Sequence, residues 1–396
     1  MRRIVIVGAS LAGLHAAHTL RDEGFAGELT LIGDEPHLPY DRPPLSKGQL
    51  ASDARDADVD LPVADDVDAA WLLGTAATGL DLAHRVVRLA DDRLIPFDGL
   101  VMATGTSART PAPAQRPPLT PVFTLRTRDD AARLRDELLP HRHAVVVGGG
   151  FLGSEVAASI RGHGLDVTLV TSASQPLARV VGAAAGSYAA ALHREAGITV
   201  LTGQTATAEA SAGRLAGGSL SNGSLPAADL VVLALGGTPN TGWLSGSGVA
   251  VDHGVICDPY LRVRHEDGSV LPGVVAAGDV VRLPHPLADG RLVALGHWSN
   301  AVDQAATAAR NLLRSDDVHP FTSVPSFWSD LHGVTLRAVG LPSEADDHQV
   351  AEYDLPARKL QVTHHRDGRP VGALSVGRNG WLAARRRALT DSLTSL

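Results

Sequence analysis

Two short glycine loops, each set between an apolar run and a helix-forming segment, constrain this chain more than any other feature. The first, Gly8-Ala9-Ser10-Leu11-Ala12-Gly13, follows Ile4-Val5-Ile6-Val7. The second, Gly148-Gly149-Gly150-Phe151-Leu152-Gly153, follows Ala144-Val145-Val146-Val147. A short apolar run bounded by a turn reads as a buried parallel strand. A tight glycine turn into a helix lets the backbone approach a pyrophosphate, and the helix N-terminus meets it with N–H groups and partial positive charge. One such loop is weak ground for a dinucleotide site. Two in the same strand–turn–helix context point to two dinucleotides in one chain.

The flanking sequence repeats the same plan. Leu14 to Glu23 has amphipathic helical spacing and stops at Gly24 and Gly27; Leu29 to Ile32 is the next strand, closed by Gly33-Asp34-Glu35. In the second unit Ser154 to Arg161 is the helix, Gly162–Gly164 the stop and Val167 to Val170 the strand. Further strands are expected at Leu100–Ala103, Asp229–Leu235 and Gly273–Ala277, the last leading into Gly278-Asp279. Residues 36–48 are too rich in proline for a helix or a central strand. Residues 51–68 read as an acidic surface excursion and 109–121 as a proline-rich linker. From Pro320 the chain alternates apolar and polar residues, as in a small sheet, and ends in an arginine-rich helix from Leu382 to Leu393. A flavin dinucleotide and a nicotinamide dinucleotide are the natural pair for two such sites, so electron transfer is the expected chemistry.

Composition narrows the class. The net charge of -8 disfavours a nucleic-acid partner. Cys257 is the sole cysteine, so the chain has no Cys-x-x-Cys pair and is not a flavoenzyme that reduces disulfides through one. No apolar run reaches membrane-spanning length and no secretion signal is evident, so the expected location is cytoplasmic. The histidines lack metal-ligand spacing, and Ser46 and Ser329 show no sign of a nucleophilic triad. Lys47 and Lys359 are the only lysines in an arginine-rich chain.

Longer strings add specificity. Pro39-Tyr40-Asp41-Arg42-Pro43-Pro44-Leu45-Ser46-Lys47 is followed in order by Ala103-Thr104-Gly105, Ala277-Gly278-Asp279, His297-Trp298 and Phe327-Trp328-Ser329-Asp330. With the two loops, these resemble the ferredoxin reductases that serve bacterial oxygenases, the putidaredoxin reductase and biphenyl-dioxygenase reductase type. The resemblance implies an α/β chain of the glutathione-reductase fold group, with two Rossmann-like dinucleotide-binding domains and a small α+β C-terminal domain. The expected FAD domain is discontinuous, residues 1–110 and 240–320; the NAD(P) domain is 111–239 and the C-terminal domain 321–396.

The resemblance also implies roles. Gly8, Ser10, Ala12 and Gly13 would cradle the FAD pyrophosphate, Ser10 replacing the usual middle glycine. Asp34, or its neighbour Glu35, would accept from the adenosine ribose. Ala77, Ala103, Thr104, Gly105, Arg126, Gly278 and Asp279 match FAD-contacting positions, and His297 and Trp298 would line the flavin ring. Lys47 would stand beside that ring, where a fixed ammonium stabilises the charge of reduced flavin; Arg42 would contribute there or order its loop. Gly148, Gly150, Leu152 and Gly153 would bind the nicotinamide dinucleotide, and Glu155 would pair with Lys47 to hold the hydride-transfer pocket.

NADH is the expected donor, with NADPH possible, because Thr171 and Ser172 stand where an acid usually contacts the adenosine 2′-hydroxyl. Gly296 and Leu331 depart from the family's usual glutamate and glutamine. The implied partner is an iron–sulfur ferredoxin serving a cytochrome-type monooxygenase or a Rieske-type oxygenase. Arg310, Arg314, Arg385, Arg386 and Arg387 are candidates for docking it, and the protein is expected as a monomer or homodimer with no membrane partner. Two other readings use the same scaffold: an oxidoreductase acting on a quinone or dioxygen, and a flavin-bearing sensor like apoptosis-inducing factor.

Overall fold

The computed structural model describes all residues except 52–53, 55–58, 65–66, 111–120, 140–141, 208–218, 222, 225–227 and 395–396. Most of the expected linker at 109–121, and part of the excursion at 51–68, therefore lie outside the described residues. The chain divides into two compact units. One comprises Met1–Asp41, Asp60–Ser107 and Thr238–Ser326; the other comprises Arg42–Val59, Ala108–Gly237 and Phe327–Leu396.

In the first unit, Arg3–Val7 forms the strand expected of its apolar run, with Ile4 and Ile6 fully buried. It lies within a six-stranded sheet of order Arg262–Arg264, Val270–Ala276, Gly99–Met102, Arg3–Val7, Glu28–Ile32, Ala70–Leu72. All neighbours are parallel except the Arg262–Arg264 edge. The chain leaves Arg3–Val7 on one side to make Glu28–Ile32 and returns on the other as Gly99–Met102. Such a reversal opens a crevice at the carboxyl ends of the strands. The loops that begin at Gly8, Gly33, Ala103 and Ala277 all start at those ends. Helices Leu11–Asp22 and Trp298–Leu313 pack on each other beside this sheet.

The second unit repeats the plan. A parallel sheet has the order Thr199–Leu201, Asp166–Val170, His143–Val147, Leu230–Leu233, Val122–Phe123. Helix Phe151–Gly162 joins His143–Val147 to Asp166–Val170, as Leu11–Asp22 joins the matching strands of the first unit. The same unit holds a C-terminal five-stranded sheet of order Ser326–Leu331, Val334–Gly340, Arg369–Val376, Lys359–Arg366, Asp347–Asp354, followed by helix Asn379–Thr394. That sheet shares one core with helix Ala178–Glu195: Val181, Tyr188 and Leu192 pack with Leu331, Val362 and Leu374. Burying each such aliphatic side chain contributes roughly 1.5–3 kcal/mol. The α/β class, with two parallel dinucleotide-type sheets and a C-terminal α+β part, is as the sequence predicted.

Candidate functional site

The first loop is shaped by contacts that only glycine allows. Gly8 has φ +121°, and a Cβ there would lie 2.0 Å from the Ala103 carbonyl oxygen. A Cβ on Gly13 would lie 1.9 Å from the Gly8 carbonyl oxygen, so the helix can enter this close to the strand only without a side chain. Ser10 takes the N-cap position in extended backbone. The first-turn N–H groups of a helix have no intrahelical partner and suit an anion. The loop therefore fits a dinucleotide pyrophosphate.

Around it, Asp34 is exposed at the end of Glu28–Ile32, and its Oδ1 accepts from the Glu35 N–H at 3.0 Å. Glu35 is half-buried and its carboxylate takes the Tyr40 hydroxyl. Of the two acids, Asp34 is the more exposed. Ala77 opens a strand two residues after Thr75, whose N–H donates to the Gly33 carbonyl. Thr104 is tied to Asn240 in both directions: its Oγ1 donates to the Asn240 carbonyl, and Asn240 Nδ2 donates to the Thr104 carbonyl, each at 2.8 Å. The Asn240 N–H also donates to the Gly105 carbonyl. The Gly278 N–H donates to the buried Gln304 at 2.9 Å, which fixes the turn carrying Asp279.

His297 has φ +78° and ψ 154°, a region that non-glycine residues occupy only under strain of about 1–3 kcal/mol. Strain of this kind collects at functional sites, and here it launches helix Trp298–Leu313. The Trp298 Nε1–H donates to Asp41 Oδ1 at 2.8 Å, and the His15 ring meets the indole edge-on. A side chain at Gly296 would begin 3.8 Å from Asp279 Oδ1, so the family glutamate would set a second carboxylate beside Asp279.

In the second unit, Gly148 (φ +120°) and Gly153 repeat the first loop: a Cβ on Gly153 would lie 1.8 Å from the Gly148 carbonyl oxygen. Gly150 caps helix Phe151–Gly162, and a Cβ there would meet nothing within 4 Å, leaving the approach to the helix N-terminus open. Leu152 is exposed on the first turn. Thr171 is buried at the end of Asp166–Val170, and its hydroxyl accepts from the Ala173 N–H at 3.2 Å.

Lys47 and Glu155 meet in this unit, Nζ to Oε2 at 3.0 Å. The Ser46 hydroxyl donates to the same oxygen at 2.6 Å and the Ser329 hydroxyl to the other at 2.7 Å. Asp330 Oδ2 stands 3.9 Å from the lysine. In sequence neither serine shows more than the lack of a nucleophilic triad; the carboxylate both bind comes from a distant segment. Arg42 Nη1 donates to the Arg126 carbonyl at 2.7 Å and so ties the proline-rich turn to the start of helix Arg128–Asp136.

The candidate docking arginines differ among themselves. Arg310 and Arg314 both pair with Glu23. Arg385, Arg386 and Arg387 are exposed on the last helix, with Arg385 over the Trp381 ring. Leu331, one of the departures from the family pattern, is fully buried in the core shared by the C-terminal sheet and helix Ala178–Glu195. No helix among the described residues is long and apolar enough to cross a membrane.

Two parallel sheets, each with a phosphate-cradling loop, and a lysine–glutamate pair next to the second loop define the class: an FAD-dependent oxidoreductase that uses a nicotinamide dinucleotide. Comparison with known proteins makes the assignment particular. Residues 2–305 match the pyridine nucleotide-disulphide oxidoreductase family and residues 326–394 the reductase C-terminal family, and the chain belongs to the first and carries the second at its C-terminus. It is 38% identical over 352 residues to rhodocoxin reductase of Rhodococcus erythropolis, covering 88% of this chain and 80% of that one. It is 36% identical over 340 residues to the ferredoxin–NAD(+) reductase component of the p-cumate 2,3-dioxygenase system of Pseudomonas putida, covering 85% and 81%. The structure of the covalent putidaredoxin reductase–putidaredoxin complex matches with a TM-score of 0.89 at 31% identity, covering 98% and 93%. The resemblance drawn from the sequence is borne out.

Proposed function

We propose that this chain is an NADH-dependent ferredoxin reductase, in which bound FAD takes a hydride from NADH and yields electrons singly to an iron–sulfur ferredoxin that serves a cytochrome-type monooxygenase or a Rieske-type oxygenase. The observation that carries the reading is the pair of loops, each with its helix N-terminus, in a chain whose relatives are named as reductases of redoxins and ferredoxins. Gly8, Ser10, Ala12 and Gly13 would hold the flavin pyrophosphate, and Asp34 would accept from its ribose. The turns at Ala103–Gly105 and Gly278-Asp279, with Ala77 and Arg126, would take the rest of that cofactor. Arg42 would act through the Arg126 carbonyl it holds, ordering the segment that carries Lys47.

Gly148, Gly150, Leu152 and Gly153 would hold the NADH pyrophosphate. Lys47 would keep a positive charge at the reacting centre, fixed in place by Glu155. Trp298, with His297 at its helix start, would cover the flavin edge in the orientation set by Asp41. The exposed Arg385–Arg387 run would meet an acidic ferredoxin, speeding encounter in a salt-sensitive way. Arg310 and Arg314, already satisfied by Glu23, would contribute less. The test is steady-state reduction of cytochrome c with NADH and purified ferredoxin. Turnover should require the ferredoxin; turnover that is equal without it, or carried by a quinone instead, would overturn the reading.

A further inference from the structure

The carboxylate of Glu155 is the best-fixed charge in its surroundings. It is 7% exposed, and each oxygen receives its own hydroxyl: Ser46 to Oε2 at 2.6 Å and Ser329 to Oε1 at 2.7 Å. Ser46 is 2% exposed and Ser329 0%. The three residues come from distant segments: the turn Pro43–Ser46, helix Phe151–Gly162 and strand Ser326–Leu331. Ser159, one turn beyond Glu155, donates to the Ser46 carbonyl at 2.6 Å and pins the turn to the helix.

Lys47 also has a second carboxylate within reach. Asp330 Oδ2 is 3.9 Å from Nζ, and its other oxygen accepts the Thr335 hydroxyl at 2.5 Å. Ser329 and Asp330 are successive strand residues, so they point to opposite faces. One is buried against Glu155; the other is partly exposed beside Lys47. Distance alone discriminates weakly between the two acids, because attraction at 3.9 Å is about three-quarters of that at 3.0 Å in the same medium. The hydroxyl donors differ in number and setting: Glu155 is buried and receives one on each oxygen, which holds it in one place, whereas the more exposed Asp330 receives one, from Thr335.

We propose that Ser329, with Ser46, is a positioning residue that commits the Lys47 ammonium to Glu155 rather than Asp330. The C-terminal sheet thereby sets the charge geometry at the hydride-donor loop. The catalytic meaning of this clamp rests on the function proposed above; the clamp itself does not. Leu331, two residues on at the end of the same strand, is buried in the shared core and anchors that strand.

The chain carries its own probe, since Lys47 and Lys359 are its only lysines. The holoenzyme is pulsed with acetic anhydride, and acetylation of Lys47 relative to Lys359 is read by peptide mass spectrometry. Ser329→Ala should raise that ratio by roughly tenfold, the factor expected for losing a hydrogen bond to a charged group. The Ser329→Ala/Asp330→Asn double variant should raise it further, because the second carboxylate beside the ammonium is then removed. Ser46→Ala, which strips the other oxygen, should act in the same direction and serves if Ser329→Ala does not fold. In stopped flow, Ser329→Ala should slow flavin reduction at saturating NADH by about tenfold while the NADH Kd stays within about twofold. Wild-type labelling and reduction rates in both serine variants would overturn the clamp. Unimpaired flavin reduction in Lys47→Ala and Glu155→Ala would instead overturn the functional reading, leaving the labelling result to stand alone.

Discussion

His364 offers a sharp test of how the C-terminal sheet is joined to helix Ala178–Glu195. That helix breaks at Gly182 (φ +80°, ψ 170°), and the imidazole Nε2–H of His364 donates to the Val181 carbonyl at 2.9 Å. The residue is 1% exposed, and burial, aided by the nearby His348 and His365, pushes its pKa down to about 4. An unfolded histidine titrates near pH 6.5. The folded state thus refuses a proton that the unfolded state accepts between those values. Its contribution is complete above pH 6.5 and is lost as pH falls toward 4. Integrating the linkage from about pH 7.5 to about pH 4.5 gives a loss of about 2–3 kcal/mol from this one group. His364→Gln keeps a donor for Val181 but does not titrate. Urea unfolding of both proteins across this range should show wild type losing about 2–3 kcal/mol more than the variant. Parallel pH dependences would refute the claim that His364 is held neutral at the helix break.

Three further outcomes follow. Glu155→Ala should slow flavin reduction by NADH at least about tenfold with FAD content unchanged, since it frees Lys47 and strands two buried hydroxyls; stopped flow with absorbance-based flavin counts decides it. Thr171→Glu should raise the NADH-over-NADPH ratio of kcat/KM by about tenfold, because a carboxylate at this strand end rejects a 2′-phosphate; an unchanged ratio would show that this position does not read the ribose. Replacing Arg385, Arg386 and Arg387 together by Gln should lower the ferredoxin KM-limited rate about tenfold at low salt and flatten its salt dependence, leaving ferricyanide reduction intact. An unaltered salt profile would move the docking face elsewhere.

Much of the fold was written in local patterns. Both parallel strands, their glycine turns and the following helices fall where periodicity puts them, because burial on both faces demands an unbroken apolar run. The helices begin earlier than their spacing suggested, at Leu11 and Phe151, since the glycine-loop residues themselves make the first turn. Lys47 and Glu155 were identifiable through the strings that carry them. The groups that fix them were not: Ser46 and Ser329 lie 109 and 174 residues from Glu155 in sequence. Serine has no periodic signature, and only tertiary packing brings it to a carboxylate. The same holds for Asn240, which clasps Thr104 from 136 residues away, and for Asp41, which orients Trp298 across 257. Leu331 shows the reverse case: a residue marked in sequence as a departure from the family's glutamine is a core residue.

In the proposed reaction electrons enter in pairs and leave one at a time. Anaerobic stopped flow tests it in two mixes. The yellow protein is first reduced with one equivalent of NADH and then mixed with excess oxidised iron–sulfur ferredoxin. The flavin should bleach in the first mix, and two ferredoxins per flavin should be reduced in the second. Flavin that stays oxidised with NADH, or reduced flavin that leaves ferredoxin untouched, would contradict it.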